Sequence, residues 1–595
     1  MKYHIVNRIQ SQIAALSKQA AMRHKVDGQW MEITWRELGE QLDAISAAMA
    51  AMGIAVQDKV AIYANNTPRW TQVDLGTLYN RAVTVPIYPT NTTKQAEYVM
   101  QDSAAKLLFV GEQAQLDAAM QFMDNCDALE AVIALTDGLT LPDNDKVLSF
   151  DAFLKKGTEA AAKSVAERLE SKQMDDLLTL IYTSGTTGQP KGVMLDYQNI
   201  ASQLEGHDLK LAFNAGERSL CFLPLSHVFE RCWTFYVLHR GGINCYLDDV
   251  NLLKETMAEV KPQVMCAVPR IYEKIFATIH EKVAKAPFIR KALFTWAVNM
   301  GAKMGEVRRA KAKPSFMLAK SHNLADKLVL SKIRAGLGGE IKMMPCGGAK
   351  LDPTIGRFFH ALGINVKLGY GMTETTATVS CWDDSCFDPD SIGMVMPGAE
   401  VRIGENDEIL VKGPMVMRGY YNMPEETAKN FTADGFLKTG DCGKIDEYGN
   451  VFITDRIKEL MKTSGGKYIA PQVIEGAIGK DHFIEQVAVI ADTRKFVSAL
   501  IVPCMDNIEE YARELNIKYH DRLELLKHSD IVEMLEKRVN DLQKDLARFE
   551  QVKKFTLLAN PFSMDEGELT PTMKLRRKVI NERYSMQIEG MYADA

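Results

Sequence analysis

The chain has 595 residues, 46% of them hydrophobic and 25% charged, which is ordinary globular composition at a length that predicts several domains. The net charge of −6 provides no global basic field, which argues against nucleic acid as a partner. The ten cysteines are scattered and form no CxxC pair, which is typical of a reducing compartment and not of a disulfide framework.

The N-terminal segment shows no targeting or membrane signal. No apolar run reaches the roughly 18–20 residues that a spanning helix needs. The first 25 residues, MKYHIVNRIQSQIAALSKQAAMRHK, mix charges into every apolar stretch, so they predict an amphipathic surface helix and not a signal peptide. We therefore expect a cytoplasmic protein that touches a membrane, if at all, only at its surface.

A buried strand followed by a hydroxyl-rich loop is predicted near residue 180. The short apolar run LLTLIYT (177–183) has the β-branched and aromatic content of a strand. The loop that follows combines glycines, hydroxyls and Lys191, a composition suited to binding an anion. A P-loop NTPase motif requires Gly before and Ser or Thr after its lysine, whereas Lys191 lies between Pro190 and Gly192. An ordinary Ser/Thr/Gly surface loop remains the alternative.

A second glycine-rich strand end is predicted near residue 347. The segment IKMMPCGGA (341–349) is followed by Asp352-Pro353, a helix start, and by Gly363, a helix stop. The segment INVKLGYG (364–371) then predicts the next strand. Both glycine-rich segments therefore lie at strand ends of one βαβ unit, which is where ligands bind in such sheets.

The pattern from Phe483 onward predicts a small α+β unit. QVAVIAD and VSALIVP are typical of two short strands joined through TRKF. Helical stretches follow, and their apolar positions recur at spacings of three and four residues, which predicts core positions at Ile531, Leu535, Leu542, Leu546 and Phe549.

Five segments in chain order together resemble the adenylate-forming superfamily of acyl-CoA synthetases, peptide-synthetase adenylation domains and beetle luciferases. They are YTSGTTGQPKG (182–192), LGYGMTETT (368–376), LKTGD (437–441), DRIKELMKTSGGKYIAPQVIE (455–475) and ELTPTMKLRRK (568–578). The resemblance implies an α/β fold with a large N-terminal domain, residues 1–455, made of αβαβα sheet layers and a small β-barrel. It also implies a smaller, mobile α+β C-terminal domain, residues 456–595.

The implied chemistry has two steps, activation of a carboxylate by ATP and transfer of the acyl group to a thiol. By resemblance the catalytic residues are Lys574, Glu374 and His227, and Thr183 and Glu374 would bind Mg²⁺. The residues implied to bind ATP are Thr183, Ser184, Gly185, Thr186, Thr187, Gly188, Lys191, Gly347, Gly348, Ala349, Tyr370, Gly371, Met372, Thr373, Asp441 and Arg456. The hinge between the domains would be centred on Lys458, and Gly465 and Gly466 would approach CoA.

Roles within this set also follow from the resemblance. Lys574 would contact the α-phosphate and the carboxylate in the transition state. Tyr370 would offer its ring to adenine, and Asp441 would accept hydrogen bonds from the ribose hydroxyls, as a carboxylate can. Arg456 would reach ribose and phosphate. His227 would gate the passage between the nucleotide and acyl pockets, with a purely structural histidine as the alternative.

The acyl substrate is indicated by two further segments. LPLSHVFERCWTFYVLHRGG (223–242) and KPQVMCAVPRIYEKI (261–275) resemble the long-chain fatty acyl-CoA synthetases in particular. The resemblance therefore implies a long-chain fatty acid–CoA ligase with fatty acid, ATP and CoA as substrates. Glu230 and Arg231 are expected to pair with each other and support this segment.

A basic stretch lies between Lys282 and Arg334. It contains thirteen Lys or Arg residues against two acidic residues, with Phe288, Phe294 and Trp296 interleaved. Basic charge with aromatic side chains suits peripheral contact with an anionic bilayer, which here would be the inner face of the cell membrane. The alternative is a solvated helix pair that covers the acyl tunnel.

Two other functions stay open at this stage. An acyl–acyl-carrier-protein synthetase would use the same adenylation step with a different acceptor. A nucleotide-binding module without catalysis would act by binding a partner, although the presence of Lys574, Glu374 and Thr183 argues against it. The resemblance also leaves room for a homodimer.

Overall fold

Three β-sheet systems carry the site in the computed structural model, which describes residues 3–183, 190–384, 387–456, 461–464, 467–544, 546–564, 566–570 and 574–593. In chain order the strands are β1 Ala20–Val26, β2 Gln29–Thr34, β3 Lys59–Tyr63, β4 Val83–Ile87, β5 Leu107–Val110, β6 Ala131–Ala134, β7 Val147–Ser149, β8 Leu177–Thr183, β9 Lys191–Asp196, β10 Arg218–Cys221, β11 Ile243–Tyr246, β12 Met343–Cys346, β13 Asn365–Tyr370, β14 Ser380–Cys381, β15 Met394–Val395, β16 Glu400–Ile403, β17 Glu408–Lys412, β18 Gly419–Tyr420, β19 Leu437–Ile445, β20 Val451–Arg456, β21 Met461–Lys462, β22 Tyr468–Ile469, β23 Ile484–Ile490, β24 Ser498–Pro503 and β25 Lys554–Leu557.

The α-helices alternate with these strands over most of the chain. They are α1 Ile5–Leu16, α2 Trp35–Ala51, α3 Pro68–Tyr79, α4 Thr93–Ser103, α5 Gln113–Phe122, α6 Phe150–Leu154, α7 Glu159–Glu170, α8 Tyr197–Lys210, α9 Val228–His239, α10 Leu253–Val260, α11 Pro269–Ala284, α12 Phe288–Arg309, α13 Phe316–Ala325, α14 Ser331–Ala335, α15 Pro353–Ala361, α16 Pro424–Lys429, α17 Pro471–Ile478, α18 Met505–Glu514, α19 Arg522–Leu526, α20 Ser529–Leu542, α21 Arg577–Arg583 and α22 Ser585–Tyr592. No helix within the described parts of the chain has the length and apolar character needed to cross a bilayer.

The first sheet has eight strands in the order β18-β9-β8-β4-β3-β5-β6-β7. Its central strands are buried apolar runs, as a parallel sheet covered on both faces requires. The predicted strand at 177–183 is confirmed as β8. It pairs antiparallel with β9, and Thr183 lies opposite Lys191 in the register. The two ends of the predicted phosphate loop therefore meet at the edge of this sheet.

The second system joins two four-stranded sheets, β10-β11-β1-β2 and β12-β13-β14-β15. Parallel bridges from Val264 to Ser219 and Met343, and from Ala267 to Cys346, connect β10 to β12. The predicted βαβ unit is confirmed, since β12 and β13 pair in parallel and α15 runs between them. Asp352 caps α15 by accepting a hydrogen bond from the Thr354 N–H, as its position before Pro353 predicted.

Helix α9 packs in the core of the N-terminal part. Every residue of α9 except Phe229 is buried, and a helix that is buried on all sides needs an apolar or internally paired surface. Its residues Trp233, Phe235 and Tyr236 belong to the same core cluster as Trp35 and Trp70. The helix thus holds its first turn, with His227 as the N-cap, against the carboxyl ends of the strands.

The remaining sheets are antiparallel or mixed. Strands β16-β17-β19-β20 form a four-stranded antiparallel sheet. In the C-terminal part β23-β24-β25 form a sheet, and β23 and β24 confirm the two strands predicted after Phe483. They pack against α17 and α20 as a separate core cluster.

The predicted run of apolar core positions in the C-terminal part is correct at Ile531 and Leu535 and in part at Leu546, which packs partly buried against the same cluster. Ile531 and Leu535 are buried in α20, but this helix ends at Leu542 and Phe549 is exposed. The chain turns there because the buried Gln543 side chain bonds the backbone of Val552, accepting from its N–H and donating to its carbonyl oxygen. Because the buried Gln543 amide is hydrogen-bonded to backbone outside the helix, the helix ends here and the apolar spacing of three and four residues does not continue.

Candidate functional site

One large cleft of about 3550 Å³ contains nearly all the described site residues that the sequence predicted. Its walls include Thr183, Lys191, His227, the segment 347–349, the segment 371–374 and Lys574. These positions come from the eight-stranded sheet, from the second sheet system and from the C-terminal part. Seven predicted phosphate-loop and CoA positions lie outside the described residues, namely Ser184, Gly185, Thr186, Thr187, Gly188, Gly465 and Gly466, and so does the hinge residue Lys458.

The described ends of the phosphate loop form one corner of the cleft. Lys191 forms an ion pair with Glu426, with Nζ 2.5 Å from Oε1. The Lys191 ammonium also lies 5.1 Å from the centroid of the Tyr420 ring. The hydrogen bond from Lys191 lowers the pKa of Glu426, so this carboxylate is charged at neutral pH.

Glu374 lies at the same corner, in a short 3₁₀ turn, Thr373–Thr375, that follows β13. Its carboxylate is buried and accepts a hydrogen bond of 2.9 Å from the Tyr420 hydroxyl. The preceding Gly371 cannot be replaced, because a Cβ there would lie 1.7 Å from the Ala377 carbonyl oxygen. The tight turn therefore depends on glycine and places Glu374 against the cleft.

The adenine-binding segment predicted at 347–349 leaves β12 and enters the cleft wall. Gly348 has φ +89°, in the left-handed region that side chains rarely adopt. Val268 and Phe229 face this segment, and a Cβ added at Gly347 would lie 3.3 Å from the Phe229 ring. The backbone of the segment thus forms a flat surface next to an aromatic side chain.

Tyr370 and Asp441, which are 71 residues apart in sequence, are in direct contact. The Tyr370 hydroxyl donates to Asp441 Oδ2 at 2.7 Å. The cleft wall here includes Gly369, Gly371 and Gly440, while Asp441 itself is 4% exposed. Arg456 lies opposite Asp441 in the β19–β20 register, so the backbone brings the two predicted ribose-binding positions side by side.

His227 is the N-cap of α9 and lines the cleft. Its Nδ1 accepts a hydrogen bond of 3.2 Å from the Phe229 N–H, so the neutral ring carries its proton on Nε2. Burial and, to a smaller extent, the nearby Lys574 ammonium together lower the pKa of His227 to about 4. The imidazole is therefore neutral at physiological pH.

Lys574 reaches the cleft from the C-terminal part. Its backbone N–H donates to the Thr570 hydroxyl at 3.0 Å, and its carbonyl oxygen accepts from the Thr570 N–H at 2.8 Å. These two bonds close a tight turn, with Leu569 bridged to Leu575 on either side. Lys574 and His227, the N-cap of α9, both line the cleft.

Contacts between the C-terminal part and the rest of the chain hold this orientation. Lys480 forms an ion pair with Asp352 at 2.6 Å, at the start of α15. Lys285 pairs with Glu510 at 2.8 Å, and Arg270 donates to the Glu485 carbonyl oxygen. The partners in two of these contacts, Lys480 with Asp352 and Arg270 with Glu485, are themselves part of the cleft wall.

The expected pairing of Glu230 with Arg231 is wrong. Arg231 instead forms a bidentate ion pair with Asp74 of α3, at 2.6 and 2.8 Å. Glu230 turns the other way and accepts from the Cys266 thiol at 3.1 Å. Consecutive helix residues point about 100° apart, so adjacent side chains on a buried helix meet different partners. Burial raises the pKa of Glu230 to about 8, which makes it mostly neutral at pH 7.

An apolar arm of the cleft extends from the His227 corner between α10, α11, α12 and α14. Its lining is aliphatic and aromatic and consists of Leu253, Met257, Val268, Ile271, Ile275, Ile279, Phe294, Val329, Ile333 and Leu337. The arm reaches Arg290, Leu293 and Lys332 in the basic stretch. A long hydrocarbon chain fits such a wall, because burying each CH₂ group contributes about 0.8 kcal/mol.

Sequence reasoning missed Tyr420 and Glu426, which contact Glu374 and Lys191. Both occur in RGYYNMPEET, where the only local signals are a Gly-Tyr strand end and a Pro-started helix. Neither signal indicates chemistry. Only the pairing of β18 with β9 brings these residues to the phosphate corner.

Comparison with known proteins identifies the family. The sequence model described as AMP-binding enzyme matches residues 10–421, and that of the AMP-binding enzyme C-terminal domain matches residues 458–595. The long-chain-fatty-acid–CoA ligase FadD15 of Mycobacterium bovis is 32% identical over 95% of this chain and 93% of its own length. The long-chain-fatty-acid–CoA ligase ACSBG2 of Xenopus laevis is 30% identical over 99% of this chain and 83% of its own.

Solved structures share the fold. The adenylation domain of a carboxylate reductase from Mycobacterium chelonae covers the whole chain with a TM-score of 0.76 at 21% identity, over 91% of its own length. The anthranilate CoA ligase AuaEII with anthranoyl-AMP covers 99% of this chain and 98% of its own, with a TM-score of 0.72 at 16% identity. At these identities the likeness concerns the fold alone. The two family matches together span most of the sequence, and the chain therefore belongs to the AMP-binding enzyme family.

Proposed function

We propose that this protein is an ATP-dependent long-chain fatty acid–CoA ligase. The observation that carries the proposal is a single cleft in which both ends of a hydroxyl-rich loop, Lys574 and a long apolar arm meet. Near full-length similarity to proteins named long-chain-fatty-acid–CoA ligases supports it. The enzyme is an AMP-forming acid–thiol ligase with fatty acid, ATP and CoA as substrates.

In the first step a carboxylate oxygen of the fatty acid attacks the α-phosphorus of ATP. The new P–O bond forms as the bond to the β-phosphate breaks, so that acyl-AMP and pyrophosphate result. Both reactants are anions, and charge neutralisation is the main catalytic task. We assign the loop from Thr183 through Ser184–Gly188 to Lys191 to the β- and γ-phosphates. Lys574 then stabilises the charge that develops at the α-phosphate.

Nucleotide recognition is assigned to the segments that follow β12 and β13 and to two positions on β19 and β20. Adenine lies against the backbone of 347–349 and the segment 370–373, and the ribose hydroxyls are bound by Asp441 and Arg456. The Tyr370–Asp441 hydrogen bond orients the carboxylate for that role. His227, neutral and fixed by its N-cap bond, separates the nucleotide end of the cleft from the apolar arm.

Magnesium is the implied metal, and the residues present suit it. Glu374 and the Thr183 hydroxyl offer the hard oxygen donors that Mg²⁺ prefers, and among the described residues the Tyr420 hydroxyl donates to Oε1, one of the two Glu374 carboxylate oxygens. When bound, Mg²⁺ would offset the charge of the triphosphate. Glu374 and Thr183 would hold it at the phosphate corner.

In the second step the CoA thiol attacks the acyl carbon and AMP leaves. The nucleophile is a thiolate. We assign the approach of CoA to Gly465 and Gly466, after rotation of the C-terminal domain, residues 456–595, about Lys458. A moving domain lets one acyl site serve two reactions in succession.

The direct test is fatty-acid-dependent exchange of labelled pyrophosphate into ATP, run with saturated and unsaturated acids from C6 to C18. We expect exchange with long-chain acids, followed by AMP release when CoA is added. Acyl carrier protein in place of CoA is the comparison that separates the two acceptor classes. Absence of exchange with every acid would refute the ligase assignment, and transfer to carrier protein alone would reassign the acceptor.

Peripheral contact with an anionic bilayer is proposed for the mouth of the apolar arm, in a protein located in the cytoplasm. Phe288 and Ile289 at the start of α12 are 82% and 79% exposed. They adjoin Arg290 and Leu293, which line the outer end of the arm. Basic residues near an anionic surface contribute about 1 kcal/mol each, so insertion of the two apolar side chains has electrostatic support.

We expect the double variant Phe288→Ser, Ile289→Ser to bind vesicles containing 30% phosphatidylserine at least about tenfold more weakly, because each buried apolar side chain contributes about 1.5–3 kcal/mol. Co-sedimentation measures this. Phe316→Ser with Met317→Ser is the matched control, because these residues are also 82% and 79% exposed but follow the far end of α12. Equal losses in both double variants would exclude a specific contact at the mouth.

A further inference from the structure

The segment from Gly419 to Asn430 contacts both charged side chains of the phosphate corner. Strand β18 pairs with β9 beside Val193 and Met194, directly after Lys191. From this strand the Tyr420 side chain enters the cleft wall, where its hydroxyl donates to Glu374 and its ring lies under the Lys191 ammonium. Glu426, in the first turn of α16, forms an ion pair with the same Lys191 ammonium.

The Tyr420 hydroxyl acts as a donor in this arrangement. A tyrosine phenol carries its proton at neutral pH, and the Tyr420 oxygen lies 2.9 Å from Glu374 Oε1. A carboxylate has no proton to donate when it is ionised. Tyr420 is therefore the donor and Glu374 the acceptor. This bond restricts the rotation of the Glu374 carboxylate about its last torsion angle.

The rest of the segment holds Tyr420 in place. The Tyr420 N–H donates to the Thr427 hydroxyl at 2.9 Å, and the Met417 N–H donates to the Glu374 carbonyl oxygen at 2.8 Å. Gly419 has φ +146°, and a Cβ there would lie 2.7 Å from the Thr427 side chain. Backbone and side chain of Glu374 are thus both bound to residues 417–420.

We propose that Tyr420 is a positioning residue for adenylation, which fixes the carboxylate of Glu374 so that one of its oxygens faces the divalent cation bound with the triphosphate. The inference rests on the proposed function and deepens it. A carboxylate that is already oriented loses less conformational freedom when a metal ion binds, so its ligand strength depends on the partner that orients it. Tyr420 itself touches neither the reacting carboxylate nor the α-phosphate in this assignment.

Tyr420→Phe isolates the effect, because it removes one hydroxyl and keeps the ring that packs below Lys191. The measurement is binding of Mn²⁺, by electron paramagnetic resonance, to the full-length enzyme saturated with α,β-methylene-ATP. We expect the Kd for Mn²⁺ to rise at least fivefold. Tyr421→Phe is the matched control, since the Tyr421 ring lies by Lys59 and is not part of the cleft wall, and it should leave the Kd unchanged.

A double-mutant cycle identifies Glu374 as the residue through which Tyr420 acts. In a Glu374→Gln background, Tyr420→Phe should weaken Mn²⁺ binding by less than twofold. Thioester formation from supplied oleoyl-adenylate and CoA involves no triphosphate, and it should stay within twofold of wild type in Tyr420→Phe. This rate also shows that the variant is folded.

An unchanged Kd for Mn²⁺ in Tyr420→Phe would overturn the inference, and so would an equal loss of both half-reactions. The proposed function fails by a different result, namely wild-type enzyme that exchanges no pyrophosphate with any fatty acid. Mn²⁺ binding to the complex with the ATP analogue still reports on Tyr420 in that case.

Discussion

Replacement of Lys574 by alanine should slow acyl-adenylate formation by a factor of about 10²–10³, the usual cost of removing one preorganised charge-stabilising group. The Lys574 backbone is hydrogen-bonded to Thr570, and its side chain lines the cleft. The ammonium lies near enough to His227 to lower the pKa of that residue. Alanine keeps the turn but leaves the α-phosphate without this cation as negative charge develops. Single-turnover formation of oleoyl-AMP from ATP and oleate measures the effect.

Thioester formation from supplied oleoyl-AMP and CoA should change by less than threefold in the same variant, since the proposed rotation of the C-terminal domain would take Lys574 out of the site for that step. Lys537→Ala is the matched control, because Lys537 is exposed on α20 and lies outside the cleft lining. Lys458→Pro, which stiffens the proposed hinge, should show the converse pattern. Equal losses of both half-reactions in Lys574→Ala and Lys458→Pro would refute the assignment of a rotating domain.

Replacement of Arg231 by methionine should lower the free energy of unfolding of the N-terminal part by about 3–5 kcal/mol, the cost of leaving one partner of a buried ion pair alone. The side chains of Arg231 and Asp74 are 3% and 1% exposed. Arg231 also donates to the Thr179 hydroxyl at 2.6 Å, which ties α3 and α9 to β8. All six tryptophans precede residue 383, so denaturant unfolding followed by tryptophan fluorescence reports on this part.

Two further variants make the test of the buried pair specific. Arg357→Met removes the same side-chain type from an exposed pair with Asp390, and should change stability by less than about 1 kcal/mol. Adding Asp74→Asn to Arg231→Met removes the unpaired buried charge and should restore part of the loss. If Arg231→Met and Arg357→Met have equal effects, the buried network has no special role in stability.

Local pattern was sufficient for several elements that build the site. Strand β8, the capped start of α15 and the strand β13 were all predictable, because each is encoded in a few adjacent residues. The buried strand needs a continuous apolar run, and Asp352-Pro353 satisfies free backbone N–H groups whatever the tertiary context. The prediction that the helical spacing continues after α20 was wrong for the opposite reason, because it depends on residues that are not adjacent. Gln543 bonds the backbone of Val552, nine positions further on, and this bond ends the helix early.

Side-chain partners across the site could not be predicted in the same way. Glu230 and Arg231 are adjacent in sequence and were expected to pair, yet their partners are Cys266 and Asp74. The Arg231–Asp74 pair joins residues 157 positions apart, so it exists only after α3 and α9 have packed together. Tyr420 meets Glu374 across 46 positions for the same reason.

The sequence by itself determined the class of protein, because each of the five segments that resemble the family is a characteristic run of adjacent residues. Only the tertiary structure decided which side chains contact one another. The contacts are a hydrogen bond from Tyr420 to Glu374, an ion pair of Glu426 with Lys191, a hydrogen bond from Tyr370 to Asp441 and an ion pair of Asp74 with Arg231. A hydrogen bond or ion pair forms only between atoms about 3 Å apart in space, and the number of residues between two positions in the sequence does not show whether their side chains come that close.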